Sequence, residues 1–312
     1  WVKDEDGTAC GVRVLKKGEE AEDLFFTDSC SAYDPRIQQI ARSFGRLLAA
    51  GGRDVGTLGK DEVDSGHEVR RIGEEGLFEV LRDKNQEAFE TRDFDRIVTT
   101  DPHALNSLKN DYPDLETPVV HHTEVLAELL ESGTLRPAAA GDEKTYVFHD
   151  PCYLGRQGGI YDAPRRVLDA LGVKTREMER SRNKSFCCGG GSLYLFYEGE
   201  SDSRMGEQRL QQAADAGADV VVTACPFCLI NLEDAIKTTG RSETMEVLDI
   251  AELVARRVET GNDNETGSGA LRARTSSDTR SVHGHRRLHQ AGSRRGGGRR
   301  RDRGRGTSDR RR

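Results

Sequence analysis

The chain has 312 residues, 35% of them hydrophobic and 32% charged, with a formal net charge of −7. That length has room for two domains, each with a real core. No stretch approaches the ~20 apolar residues of a membrane-spanning helix, and no signal-peptide pattern is present. The charge is unevenly placed. Residues 261–312 carry 15 Arg against five Asp/Glu, a net of +10, which leaves −17 on residues 1–260. A body this acidic argues against nucleic-acid binding by the folded part, and its scarcity of Lys is the composition of a protein suited to high salt.

Residues 1–21 are polar and read as an N-terminal extension, with Cys10 an ordinary surface thiol. The chain opens at Trp1 rather than Met, and the expectation is that a further segment, an anchor or a domain, stands ahead of it. A first lobe is expected over 22–132. Residues 24–27 form a short buried strand and 28–31 a turn. Pro35 opens a helix to Ala50, with Ile37, Ile40, Ala41, Phe44, Leu47 and Leu48 on one face. A strand follows at 55–58, one long amphipathic helix over 69–91, and a strand at 95–100. A helix starts at Asp101-Pro102, a strand covers 118–120, and Thr123 caps a helix over 124–131. Residues 133–143 read as a linker.

A second lobe over 144–260 repeats the order. Strands are expected at 145–149, 174–178, 219–223 and 245–248, and helices at 161–171, 201–216, from Pro226, and at 250–258. Strands alternating with helices predict an α/β fold of two pseudo-repeated lobes, each a small parallel sheet with flanking helices. At a constant offset of 124, Ile97-Val98-Thr99 lies over Val221-Val222-Thr223, Leu108 over Leu232, and Glu128-Leu129 over Glu252-Leu253. Residues 261–312 read as a disordered Arg/Gly-rich tail; a solvated tail, a shifted reading frame or weak RNA binding would each account for it.

Five of the seven cysteines fall in the second lobe at three stations: Cys152, the pair Cys187-Cys188, and Cys225 with Cys228. The spacing is C, 34 residues, CC, 36 residues, CxxC. A chain of this size needs no disulfide staples, so the pattern points to metal binding in a reducing, cytoplasmic compartment. Thiolates are soft ligands that select iron–sulfur clusters, zinc or Cu(I). A CxxC that follows a strand and opens a helix places both sulfurs at the carboxyl edge of the sheet, near the positive helix end. Four sulfurs suffice for a cubane [4Fe–4S] cluster or for tetrahedral zinc. The fifth either bridges irons in a more open cluster or stays free.

By the repeat, Asp101 and Ala104 stand where Cys225 and Cys228 stand, Asp64-Ser65-Gly66 where Cys187-Cys188-Gly189 stand, and Ser29 or Cys30 where Cys152 stands. The first lobe lacks the soft ligands. Asp28, Asp64, His67, Asp101 and His103 form either a hard-ligand metal site or, the favoured reading, the solvated remains of a decayed one. His121-His122 read as a cap or surface feature. His149 is placed to tune the centre by a hydrogen bond or to serve the fold, and Arg156 to balance thiolate charge.

His149-Asp150-Pro151-Cys152-Tyr153-Leu154-Gly155-Arg156, Cys187-Cys188-Gly189-Gly190-Gly191 and Cys225-Pro226-Phe227-Cys228 resemble the cysteine-rich CCG domain. That domain occurs in the B-type and D-type components of heterodisulfide reductases and in the iron–sulfur subunits of glycolate-, lactate- and glycerol-3-phosphate-oxidising complexes. The resemblance covers about 22–260. Tyr33-Asp34-Pro35-Arg36 and Pro102-His103 resemble the family's first domain without its cysteines. It implies an iron–sulfur oxidoreductase subunit, with a cubane or noncubane [4Fe–4S] cluster on Cys152, Cys187, Cys188, Cys225 and Cys228. It also implies partner subunits in a redox complex, a flavoprotein or a membrane-bound quinone-linked subunit, with membrane association through a partner or a segment ahead of Trp1. In the family, paired intact motifs carry two noncubane clusters at the site of disulfide cleavage. One intact motif favours a single-cluster electron relay over that reaction. The alternative from another class is a zinc-stabilised docking subunit without redox activity.

Overall fold

A computed structural model describes residues 1–2, 10–138, 142–191, 194–196 and 204–258. The expected tail at 261–312 therefore lies outside the described residues, as do parts of the linker and of the expected 201–216 helix.

The first sheet is built from β1 (Arg13–Val14), β2 (Glu20–Phe26), β3 (Val55–Thr57), β4 (Asp93–Thr99) and β5 (Val119–His121). All its pairs are parallel, in the order β1-β3-β2-β4-β5. The second sheet holds β6 (Thr145–Phe148), β7 (Lys174–Arg176), β8 (Val220–Thr223) and β9 (Glu246–Asp249), again all parallel, in the order β7-β6-β8-β9. Removing β1 makes the two orders the same, so the repeat expected from sequence is a repeat of topology. Every residue of β6 and of β8 is buried, the pattern of a parallel strand covered on both faces.

The helices are α1 (Asp28–Tyr33), α2 (Pro35–Ala50), α3 (His67–Arg71), α4 (Glu75–Glu90), α5 (Pro102–Asn110), α6 (His122–Glu131), α7 (Asp162–Ala170), α8 (Met205–Asp215), α9 (Pro226–Thr238) and α10 (Ile250–Arg257). Helix α2 has the bounds expected, because Asp34 caps it by accepting from the N–H groups of Arg36 and Ile37 and Pro35 sits in its first turn.

Several expectations need correction. The expected turn at 28–31 is α1, a helix held at its start by Glu62, whose Oε1 accepts from the N–H groups of Thr27 and Asp28 at 2.9 Å. The single helix at 69–91 is α3 and α4, broken where Gly73 takes a φ of +96°. Residues before 22 do not stand apart: β1 pairs with β3, and Val12, Leu15 and Cys10 are buried, Cys10 to 1% exposure. The start of α6 is capped by His121 and not by Thr123; the Glu124 carboxylate accepts from the His121 N–H at 3.0 Å, as Glu252 accepts from Asp249 at 3.1 Å in α10. Finally, the constant offset fails after α5. The ladders equate His121 with Asp249, since each pairs with the last residue of its neighbouring strand, and so equate Glu124 rather than Glu128 with Glu252. The slip is one helical turn, because α9 has 13 residues and α5 has nine.

The lobes meet through reciprocal helix pairs, α2 on α10 and α6 on α7. Arg36 fastens the first pair, donating to Glu233 at 2.7 Å and to both carboxylate oxygens of Glu252 at 2.7 and 2.9 Å. His122 faces Asp249 across the same boundary at 3.3 Å, both fully buried. His121 and His122 are therefore interior and not surface residues. Replacing Arg36 by Met keeps the stem and removes the fork. It should lower stability by about 1–2 kcal/mol, read as a lower urea midpoint with an unchanged slope.

Candidate metal centre

The three cysteine stations follow three neighbouring strands. Cys152 lies beyond β6, Cys187-Cys188 beyond β7 and a 3-10 turn at Arg182–Lys184, and Cys225 two residues beyond β8. Since β7, β6 and β8 are adjacent and parallel, their carboxyl ends deliver all three loops to one edge.

There the thiols form a connected set. Cys152 touches Cys187, Cys187 touches Cys188, Cys188 touches Cys228, and Cys228 touches Cys225. Cys188, Cys225 and Cys228 are buried, and Cys152 and Cys187 are half-buried. The structure thus brings together all five cysteines singled out in the sequence. Cys225 is the residue before α9, whose start it shares with Pro226; against the cost of burial, hydrogen bonds from the Cys228 thiol and the His103 ring, then the Cys228 N–H, lower its pKa to about 6. Cys187 is also held low, first by hydrogen bonds from the thiols of Cys152 and Cys188. Cys152, Cys188 and Cys228 are pushed up, first by hydrogen bonds with neighbouring sulfurs: Cys187 for Cys152 and Cys188, and Cys188 for Cys228. Without a cation, a group this crowded cannot hold all its sulfurs as thiolates.

The backbone supports the sulfurs. The N–H groups of Gly189 and Gly190 donate to the sulfurs of Cys187 and Cys188, each at 3.4 Å. Gly189 has a φ of +89°, and a Cβ there would lie 2.8 Å from the Cβ of Met205. The Asn231 amide, from α9, donates to the Cys188 carbonyl.

A ring nitrogen of His149 lies within 4.8 Å of the sulfurs of Cys188 and Cys228. Its Nδ1 accepts from Arg209 Nε at 3.0 Å, which leaves the proton of the neutral ring on Nε2. Burial, with Arg209 nearby, lowers the His149 pKa to about 3. Arg209, from α8, is 1% exposed and also donates to the carbonyl of Arg180 and to Ser185 Oγ. Its pKa falls to about 10 through desolvation, so it stays charged at neutral pH. Among the described residues, Arg209 is thus a buried guanidinium at the site. Arg156, expected in that role, is exposed and donates to the Ser185 carbonyl. A signal for Arg209 was present: it shares the buried face of α8 with Gly206, Leu210 and Ala213 at helical spacing.

The first lobe repeats the frame with oxygen in place of sulfur. Gly66 has a φ of +77° and its N–H donates to Asp64 Oδ1 at 2.7 Å, as Gly189 does to Cys187. Ser65 Oγ donates to Asp28 Oδ2 at 2.6 Å. These residues are not solvated remains: Asp28, His67, Asp101 and His103 are buried, as is Ser65, and Asp64 is half-buried. Nor do they gather as one hard-ligand site. Among the described residues, His67 and His103 converge with Glu68, while Asp101 and His103 converge with Cys225 of the other lobe. Cys30, at the start of the same lobe, lies in the field of Asp101 and Cys225, and burial first, then those charges, raises its pKa.

Gly189→Ala should cost about 1–3 kcal/mol, from the left-handed backbone and the clash with Met205. The same substitution at Gly18, whose φ is also positive (+82°) but whose surroundings are open, should cost less. Parallel urea melts compare the two.

Comparison with known proteins bears on this geometry. The model of the cysteine-rich CCG domain matches twice, at residues 24–109 and 146–233. The chain is 45% identical over 248 residues to the probable iron–sulfur-binding oxidoreductase FadF of Bacillus subtilis, covering 78% of this chain and 35% of that protein. It is 34% identical to the EtfAB:quinone oxidoreductase of Syntrophomonas wolfei, over 83% of this chain and 37% of that one. It is 32% identical to the D-type component of the dihydromethanophenazine:CoB–CoM heterodisulfide reductase of Methanosarcina barkeri, over 82% of this chain and 64% of that one. The chain therefore spans little more than a third of the length of the first two. A crystal structure of a hypothetical protein from Helicobacter pylori shares the fold, with a TM-score of 0.51 at 14% identity over 79% of this chain and 50% of that one. With two matched copies and the second carrying all three cysteine stations, this chain belongs to the cysteine-rich CCG domain family.

Proposed function

We propose that the chain carries one iron–sulfur centre on Cys152, Cys187, Cys188, Cys225 and Cys228 and relays electrons within a redox complex. The observation that supports this most is the meeting of five buried or half-buried sulfurs from three loops at one sheet edge. The donor set fits the group. The sulfurs are soft, Gly189 and Gly190 point N–H groups at them, and Arg209 sets a buried positive charge close by. Five sulfurs exceed what tetrahedral zinc takes, which favours a [4Fe–4S] centre, cubane or opened by a bridging thiolate, over a zinc-stabilised docking role.

When bound, such a centre supplies storage for single electrons. The residues around it set the potential and keep water off the sulfurs. The relatives named for EtfAB, quinone and heterodisulfide chemistry support a flavoprotein donor and a quinone- or disulfide-linked acceptor as partners of this chain. No helix among the described residues is long and apolar enough to cross a membrane. One relative, from Chromohalobacter salexigens, is called a probable membrane-anchored ferredoxin. We place this chain on the cytoplasmic side, at a membrane through a partner or a segment outside it.

Protein purified without oxygen should contain iron and acid-labile sulfide and show a paramagnetic signal on one-electron oxidation or reduction. Cys225→Ser should lose most of that iron. One zinc per chain with no sulfide would overturn the assignment. Arg209→Met should lower the midpoint potential by the loss of a buried positive charge, on the order of 1–2 kcal/mol, measured by redox titration of the loaded protein.

A further inference from the structure

The chain of sulfur contacts does not close on itself. It runs Cys152, Cys187, Cys188, Cys228, Cys225 and stops. Among the described residues, the side chain that reaches both open ends is His103, a ring nitrogen of which lies within 4.8 Å of the Cys225 sulfur and which hydrogen-bonds with Cys152. His103 belongs to the other lobe. It stands two residues past Asp101, in the first turn of α5, and its N–H is fixed by Asp101 Oδ1 at 2.8 Å. The ring is 3% exposed. It stacks on Phe227, inside the CxxC, with centroids 4.6 Å apart and planes 8° from parallel. Tyr153, next to Cys152, meets its edge at 4.7 Å. Tyr153 is thus the sequence neighbour of Cys152, and Phe227 stands two residues after Cys225.

The proton on the ring is assigned by its partner. His103 Nδ1 faces the carboxylate oxygen Glu68 Oε1, an acceptor that suits a hydrogen on that nitrogen and leaves Nε2 toward the sulfurs. A carboxylate on one ring nitrogen is the arrangement that orients a histidine for coordination through the other. His149 shows the opposite setting: Arg209 donates to its Nδ1, so its remaining nitrogen holds a proton and has no lone pair to give.

We propose that His103 is the sixth protein donor of the centre, binding iron through Nε2 and closing the ring of ligands between Cys225 and Cys152. This rests on the iron–sulfur reading above and deepens it. The lobe that lost its own cysteines contributes a nitrogen ligand to its neighbour's cluster. The thiolates of Cys152, Cys187, Cys188, Cys225 and Cys228 and the imidazole of His103 then make a mixed sulfur–nitrogen site. A neutral nitrogen in place of a thiolate raises a cluster's potential, as in Rieske centres.

The test is pulsed electron paramagnetic resonance on the loaded protein in its paramagnetic state, with natural and 15N-labelled histidine. The expected result is the large hyperfine coupling of a directly bound histidine nitrogen, changed by the label and lost in His103→Ala. Where His103→Ala fails to assemble a cluster, His103→Cys keeps a ligand at the position. It should retain iron, lose the nitrogen coupling and show a lower midpoint potential. A cluster with only the weak couplings of N–H···S hydrogen bonds, or a strong coupling that survives either substitution, would overturn the proposal. Absence of iron and sulfide from the wild-type protein would instead remove the reading beneath it.

Discussion

The constraint on which the second lobe depends is the crowding of sulfur at one sheet edge. Five ionisable groups in contact, most of them out of water, repel one another as soon as two are charged. Their pKa values accordingly split, with Cys187 and Cys225 driven down and Cys152, Cys188 and Cys228 driven up. Such a set is stable as thiolates only with positive charge among them, which the proposed centre would supply. The N–H groups of Gly189 and Gly190 and the guanidinium of Arg209 bring partial and full positive charge there, and the Asn231 amide holds the loop through the Cys188 carbonyl.

The parallel sheet makes this crowding possible. Loops after β6, β7 and β8 emerge side by side because those strands are neighbours, although their cysteines are separated by 34 and 36 residues in the chain. The first lobe has the same loops after β2, β3 and β4 and fills them with Asp, Ser and His. The loop geometry is the same: Gly66 and Gly189 share a left-handed backbone, and each donates its N–H two residues back, to a carboxylate in one lobe and a sulfur in the other.

What the sequence made legible were features carried by short range. The three cysteine stations, the Pro35 helix, the alternation of strand and helix and the shared motif at 97–105 and 221–229 depend on neighbouring residues, and each has its place in the structure. What it hid depends on contacts between distant segments. Cys10 looks exposed because its neighbours are polar, yet it is buried against α2, where its sulfur and carbonyl line the space beside Gly45. The one-turn difference between α5 and α9 is invisible until the strand ladders fix the register. His103 reads as a leftover within its own lobe, because nothing in the sequence tells that α5 points its first turn into the other lobe's thiols.

The reciprocal pairing of α2 with α10 and α6 with α7 has a consequence for how the molecule came to be built. Each lobe offers the helix after its first core strand to the helix after its last, so the contact maps onto itself when the lobes are exchanged. That is the signature of a twofold, isologous interface enclosed in one polypeptide. A duplicated half that once paired with its twin would leave this arrangement after fusion. Fusion also releases the two halves from having to remain alike, so that one can keep the sulfur while the other changes its loops to serve it.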